Sequence, residues 1–301
     1  MGFLYIILHY LYKHDSNIDI GRVVKVTFGK NKYYAIINGL ITKEEELEIT
    51  FEVKNIEKIL HIKFEHLLLK YIAIFAKYNL LTIGSVIELF IPNYIEKNYY
   101  PMILNVDNQP AHLFDMNFKE TSKLKKIKKF NLPYIEGESV NFTNEQQKIL
   151  SDMLNTNEIF FLNGETGSGK TVLAVELAAR VLKNKKGKIL IITPEIILNT
   201  QWAQMLKERT GMPIFIFNNK LSPIYKNSVY NWASSQDSGI LVGARSAMFL
   251  PFKDLQLIII DEEHSSSLKQ TSYPVYHAKE MLILKAKLFN IPLLLISATP
   301  T

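Results

Sequence analysis

Residues 164–171 read GETGSGKT, a fit to G-x-x-x-x-G-K-T between the apolar run IFFL and a helical stretch that begins near Thr171. Gly164, Gly167 and Gly169 let the backbone turn tightly. With Glu165, Thr166 and Ser168 they form a cradle of N–H groups, backed by a helix N-terminus and aimed at phosphate oxygens. Lys170 then reaches the β and γ phosphates of a nucleotide, and Thr171 offers its hydroxyl to Mg²⁺. The bland alternative is a glycine-rich turn with an exposed lysine, and the strand before it and the helix after it argue against that.

The second group is LIIIDEEH, residues 257–264, in which an apolar run delivers Asp261 and Glu262 at its carboxyl end. In a parallel sheet that end is the ligand edge, so both carboxylates would face the phosphates. Asp261 is the expected Mg²⁺ partner, through water, and Glu262 orients or deprotonates the water that attacks the γ phosphate of ATP. His264 either couples the phosphate side to the next motif or is a hydrogen-bonded structural residue. In LISATP, residues 295–300, a buried strand ends in the small hydroxyl residues Ser297 and Thr299, which can hydrogen-bond the acidic motif and report its state. Upstream lies FTNEQQK, residues 142–148. Its Gln146 either reads an adenine edge with its amide or completes a capping box begun by Thr143.

These groups need a scaffold that brings strand ends to one edge. From Phe142 onward, short and nearly continuous apolar runs at 159–162, 189–192, 214–217, 240–242, 257–260 and 293–296 alternate with helical stretches. That is the signature of parallel strands buried on both faces, an α/β lobe over residues 141–301. Residues 1–95 read as a small β-rich α+β unit. Arg22 to Phe28 and Lys32 to Asn38 form a hairpin across Gly29, Lys30 and Asn31, and Phe64, Leu67, Leu68, Tyr71, Ile72 and Phe75 mark one face of a helix packed on that sheet. Residues 96–140 read as a linker, with Pro101, Pro110 and Pro133 and a cluster at Lys123, Lys125, Lys126, Lys128 and Lys129. The cluster is a solvated run or a phosphate track.

The chain has 301 residues, a formal charge of +6 and no cysteine. The charge leans towards a polyanionic partner. The absence of cysteine rules out disulfides and cysteine-ligated zinc within this chain and fits a reducing cytoplasm. The apolar start MGFLYIILHYLYKH lacks a basic leader region and reads as a buried strand, and Lys70 and Lys77 interrupt the longest membrane-helix candidate, so no membrane partner is expected.

The second half resembles the PriA family, the replication-restart DNA helicases of superfamily 2. The matching stretches are GETGSGKT, ITPEI at 192–196, VGARSAMFLPF at 242–252, DEEH followed by SSSLKQ, YHAKEM at 276–281, and SATP. The front, from Ile20 to Val26 with its hairpin and the helical segment up to Pro92, resembles that family's module for the 3′ end of the nascent strand. The resemblance implies a RecA-like P-loop lobe preceded by a DNA-binding domain, with forked and single-stranded DNA, primosome proteins and single-strand-binding protein as partners. It gives Lys170, Thr171, Asp261 and Glu262 to ATP and Mg²⁺. The stretch from Ser265 to His277 resembles the family's aromatic-rich loop, which links DNA occupancy to hydrolysis. Here Leu268 replaces the expected aromatic, leaving Tyr273 and Tyr276 to stack on bases beside Arg245, Lys269 and Gln270, while Val275 and Lys279 stand in place of arginines.

The family carries a winged helix where residues 96–140 are short, and it continues past SATP into a second lobe with zinc-binding cysteines. Thr301 follows SATP directly, so both the second lobe and the zinc ligands are expected to be absent, and one lobe alone should bind ATP and scarcely hydrolyse it. The competing readings are another superfamily 2 translocase and a fork-binding or assembly protein without turnover.

Overall fold

The computed structural model describes residues 10–11, 20–37, 54–91, 142–165, 167–194 and 196–298. The chain divides into Met1–Pro92 and Asn93–Thr301. In the first unit, β1 (Tyr10–Leu11) comes first, and the β-branched run of β2 (Arg22–Phe28) turns through Gly29, at φ 61, into β3 (Asn31–Ile36). The hairpin turn is one residue tighter than the sequence suggests, because Asn31 pairs with Phe28 and so belongs to the strand. β4 (Lys54–Asn55) pairs parallel with β1, and β5 (Lys58–Lys63) adds to the other side of β2, giving the order β3-β2-β5.

Helix α1 (His66–Tyr78) buries Tyr71, Ile72 and Phe75, the face that its apolar spacing marks. α2 (Ile83–Phe90) starts where Thr82 accepts the Ser85 N–H at 3.2 Å. Edge-to-face rings tie these elements together: Phe64 to Phe90 at 6.3 Å, Phe90 to Tyr71 at 6.1 Å and Tyr71 to Phe75 at 6.0 Å. Gly21 closes this unit. Its φ is +89, and a Cβ there would lie 2.0 Å from the Phe64 carbonyl oxygen. Only glycine lets the hairpin start meet the end of β5.

The second unit is a six-stranded parallel sheet flanked by helices. Its elements are α3 (Asn144–Asn155), β6 (Ile159–Asn163), α4 (Lys170–Asn184), β7 (Lys188–Ile192), α5 (Ile196–Thr210), β8 (Ile214–Phe217), α6 (Pro223–Ser234), β9 (Gly239–Gly243) and β10 (Leu255–Ile260). A small antiparallel pair, β11 (Lys269–Gln270) and β12 (Tyr276–His277), precedes α7 (Ala278–Phe289) and β13 (Leu293–Ser297). The strand order is β6-β13-β10-β7-β9-β8. All six apolar runs of the sequence are strands of this sheet. β7, β9 and β13 are buried along their whole length, as parallel strands covered on both faces must be.

Helix boundaries follow local chemistry. Ser222 caps α6 with Pro223 at its first position, and Asn290, in the left-handed region at φ 54, ends α7. α4 and α5 are joined by Glu176, which takes hydrogen bonds of 2.7 Å from both Arg180 and Arg209. Burial pushes the Glu176 carboxyl up, but the two guanidinium bonds outweigh it and hold the group ionised, below the usual carboxylate range. The lysine cluster at 123–129 lies outside the described residues. Among the described residues no helix is long and apolar enough to cross a membrane.

Candidate nucleotide-binding site

The carboxyl ends of β6, β13, β10 and β7 lie side by side. The Gly164 N–H donates to the Ser297 carbonyl at 3.4 Å, the Glu263 N–H to the Ile296 carbonyl at 3.0 Å, and the Asp261 N–H to the Ile192 carbonyl at 2.9 Å. Between β6 and α4 the chain passes through two left-handed glycines, Gly167 at φ 86 and Gly169 at φ 84, the second at the N-cap of α4. Lys170 Nζ donates to the carbonyls of Gly164 at 2.5 Å and Glu165 at 2.7 Å, which holds the ammonium within the loop. Thr171 is half-buried in the first turn of α4, and Ser168 is exposed. Thr166 and Thr299 lie outside the described residues.

Gln146 forms the capping box: its Oε1 accepts the Thr143 N–H at 3.0 Å while Thr143 Oγ1 accepts the Gln146 N–H at 3.2 Å. Its Nε2 lies 3.6 Å from where a Cβ on Gly169 would stand. The amide therefore caps α3 and at the same time faces the glycine loop with its donor end.

Asp261 is 7 % exposed. Burial pushes its carboxyl up from the ordinary range. The Trp202 indole N–H donates to Oδ2 at 2.8 Å and the Glu262 N–H to Oδ1 at 3.1 Å, both favouring the ionised form, and the Lys170 ammonium acts on it in the same direction. Glu262 sits at φ 47, a strained backbone for a non-glycine residue, of the kind that clusters at functional sites and costs roughly 1–3 kcal/mol. Its carboxylate is 3.5 Å from His264 Nδ1, which also lies 2.9 Å from Ser297 Oγ, a fully buried hydroxyl. Glu263 points inward at 2 % exposure and takes Lys279 Nζ at 2.6 Å.

The loop after the acidic motif is pinned from beside. Arg245 Nη1 donates to the carbonyls of Ser267 at 2.6 Å and Lys269 at 2.8 Å. Gln270 Nε2 donates to Ser272 Oγ at 2.7 Å. Tyr273 is 68 % exposed, whereas Tyr276 is 5 % exposed with its ring edge-on to Phe249 at 5.3 Å. Tyr276 therefore offers no base-stacking surface. Its alternating position in β12 turns the ring inward, and burial pushes its hydroxyl up to about 12. Only Tyr273 of the two candidate aromatics is presented to solvent. Two partners escaped the sequence reading, Trp202 and the Glu263–Lys279 pair. Trp202 meets a carboxylate 59 positions away through the packing of α5, and no spacing rule marks such a contact.

Among the described residues there is no group of three or more His, Asp or Glu side chains that could hold a metal. Mg²⁺ does not need one: it keeps most of its waters and takes one or two protein oxygens with substrate phosphates. A carboxylate at Asp261 and a hydroxyl at Thr171 fit that donor set.

The DEAD/DEAH box helicase family matches residues 143–301, and the 3′DNA-binding domain (3′BD) of PriA matches residues 4–92. The replication restart protein PriA of Rickettsia conorii is 29 % identical over 295 residues, covering 98 % of this chain and 41 % of that protein. Its counterpart from Chlamydia pneumoniae is 42 % identical over 141 residues, 46 % of this chain and 19 % of that one. Among solved structures, the helicase domain of Pyrococcus furiosus Hef is 21 % identical over 52 % of this chain and 32 % of its own, with a TM-score of 0.40. The chain thus spans about two fifths of the length of the Rickettsia conorii relative. With the helicase lobe, the acidic motif and the 3′DNA-binding domain in one sequence, the chain belongs to the DEAD/DEAH box helicase family and corresponds to the N-terminal portion of its PriA members.

Proposed function

We propose that this chain binds ATP with Mg²⁺ at the carboxyl edge of the six-stranded sheet and serves as the first motor lobe and fork-binding module of a replication-restart DNA helicase. The observation that carries the reading is that the glycine loop after β6 and the acidic motif after β10 both hydrogen-bond to the end of β13, through Gly164 N–H to the Ser297 carbonyl and Glu263 N–H to the Ile296 carbonyl, at one edge of the sheet. Gly164 to Thr171 would hold the phosphates, with Lys170 leaving its loop carbonyls for the β and γ oxygens. Thr171 and Asp261 would hold Mg²⁺, which neutralises the phosphate charge. Glu262 is the residue for orienting the attacking water. His264, between Glu262 and Ser297, is the natural carrier of its state to β13. Gln146 would hold the adenine through Nε2, the end that the capping box leaves free.

DNA would be held in two places: by the 3′DNA-binding unit, at the 3′ end of a nascent strand, and by the loop bearing Lys269, Gln270 and Tyr273, whose exposed ring can stack on any base. Arg245 would link that loop to the lobe through the Ser267 and Lys269 carbonyls. Primosome proteins and single-strand-binding protein are the expected partners, in the cytoplasm. In comparable enzymes an arginine opposite the nucleotide accelerates hydrolysis by about 10³–10⁵, and none of the residues assigned to this site has that role. The 301-residue chain should therefore bind forked DNA more tightly when the 3′-hydroxyl is free than when it is blocked, bind ATP, and unwind nothing. Fluorescence anisotropy and a strand-displacement assay check this. Indifference to the 3′ end would favour another superfamily 2 translocase, and robust unwinding by residues 1–301 would show that they turn over ATP without an opposing arginine.

A further inference from the structure

Trp202 lies on α5, 1 % exposed, and its indole N–H is spent on one atom, Asp261 Oδ2. Indole donates and cannot accept, so the direction of this bond is fixed whatever the tautomers around it. The second carboxylate oxygen takes the Glu262 N–H. A carboxylate offers about four lone-pair positions. One on each oxygen is occupied by donors of the lobe itself, which sets both the plane and the rotation of the group. The remaining positions are what Asp261 can present to a ligand. An apolar residue of similar size at 202 would fill the same space while leaving Oδ2 buried without that donor.

We propose that Trp202 is a positioning residue for Mg²⁺: its indole N–H fixes the Asp261 carboxylate so that the free lone pairs meet the waters of a Mg²⁺ ion carried by the bound nucleotide. The inference deepens the nucleotide reading above and rests on it. It also makes Trp202 an optical reporter, because an ion arriving at Asp261 alters the field at the indole.

The chain has two tryptophans, and the other is remote from the site. Trp232 packs on Phe215, with ring centroids 4.2 Å apart, and beneath Lys188 Nζ at 5.4 Å, beside the amino end of β7. A Trp232→Phe chain therefore has its sole indole at 202. Its emission is expected to change when ATP is added with Mg²⁺ and to stay nearly constant when ATP is added in EDTA. In calorimetric titrations, Trp202→Phe should bind ATP in EDTA as the unaltered chain does. The Mg²⁺ concentration that half-saturates the Mg²⁺-dependent gain should rise roughly tenfold, the size of a hydrogen bond to a charged group. A Mg²⁺ dependence equal to that of the unaltered chain, or emission from 202 that ignores Mg²⁺, overturns the proposal and leaves nucleotide binding standing. No binding of ATP by the unaltered chain overturns the nucleotide reading and this proposal with it. Should Trp202→Phe fail to fold, as read by circular dichroism, the Trp232→Phe emission decides alone.

Discussion

Glu263 and Lys279 show how single residues hold the site together. A carboxylate at 2 % exposure with an ammonium at 2.6 Å joins the end of the acidic motif to the first turn of α7. Removing one partner of a buried pair is costly because the other charge stays behind in a low dielectric. Lys279→Met should lower the unfolding free energy by about 3 kcal/mol in urea denaturation, and adding Glu263→Gln should recover part of it. No loss in the single variant would mean that the pair is solvated in solution. The consecutive carboxylates of this motif thus divide their work by direction: Asp261 and Glu263 face inward to Trp202 and Lys279, while Glu262, between them, turns outward at a strained φ. The sequence DEEH names the residues but does not say which carboxylate faces where. That is decided by the alternation at a strand end and by the positive φ of Glu262.

At the scale of elements, α7 carries a buried cation. Lys285 is 3 % exposed, donates to the Met248 carbonyl at 2.9 Å and lies over the Phe252 ring at 5.6 Å, so the helix is fastened to the segment that follows β9. Burial lowers its pKa to about 7, from 10.5 when free. Between those values the unfolded chain holds a proton that the folded chain has released, so stability should rise as pH climbs from about 7 towards 10.5. Lys285→Met should remove that rise: the stability difference between the variant and the unaltered chain is largest below pH 7 and shrinks as pH approaches 10.5. Melting curves across that range check it, and a pH-independent difference would contradict it. The elements themselves were legible where periodicity was strong. The six apolar runs of the lobe and the face Tyr71, Ile72 and Phe75 became strands and a helix, because continuous or 3.6-periodic burial leaves a direct imprint on composition. The inward turn of Tyr276 was not legible: a two-residue strand such as β12 has too few positions to show a phase. Nor was the placement of the Gln146 amide, whose Oε1 closes the capping box while its Nε2 lies on the side of Gly169.

At the scale of the molecule, the proposed roles fall to two separate units. Among the described residues one holds a three-stranded antiparallel sheet with two helices and matches a 3′DNA-binding domain, and the other is a parallel lobe with its motifs on one edge. The proposed motor role depends first on the lobe taking up nucleotide, and every later step depends on that. Calorimetric titration of ATP with Mg²⁺ into the 301-residue chain and into its Lys170→Ala variant measures it directly. Lys170 is the only side chain of the glycine loop that carries positive charge to the phosphates. One saturable site is expected in the unaltered chain, with affinity weaker by about tenfold or more in the variant, the loss of a charge-assisted contact. Equal affinity in the two, or no binding by either, would contradict it.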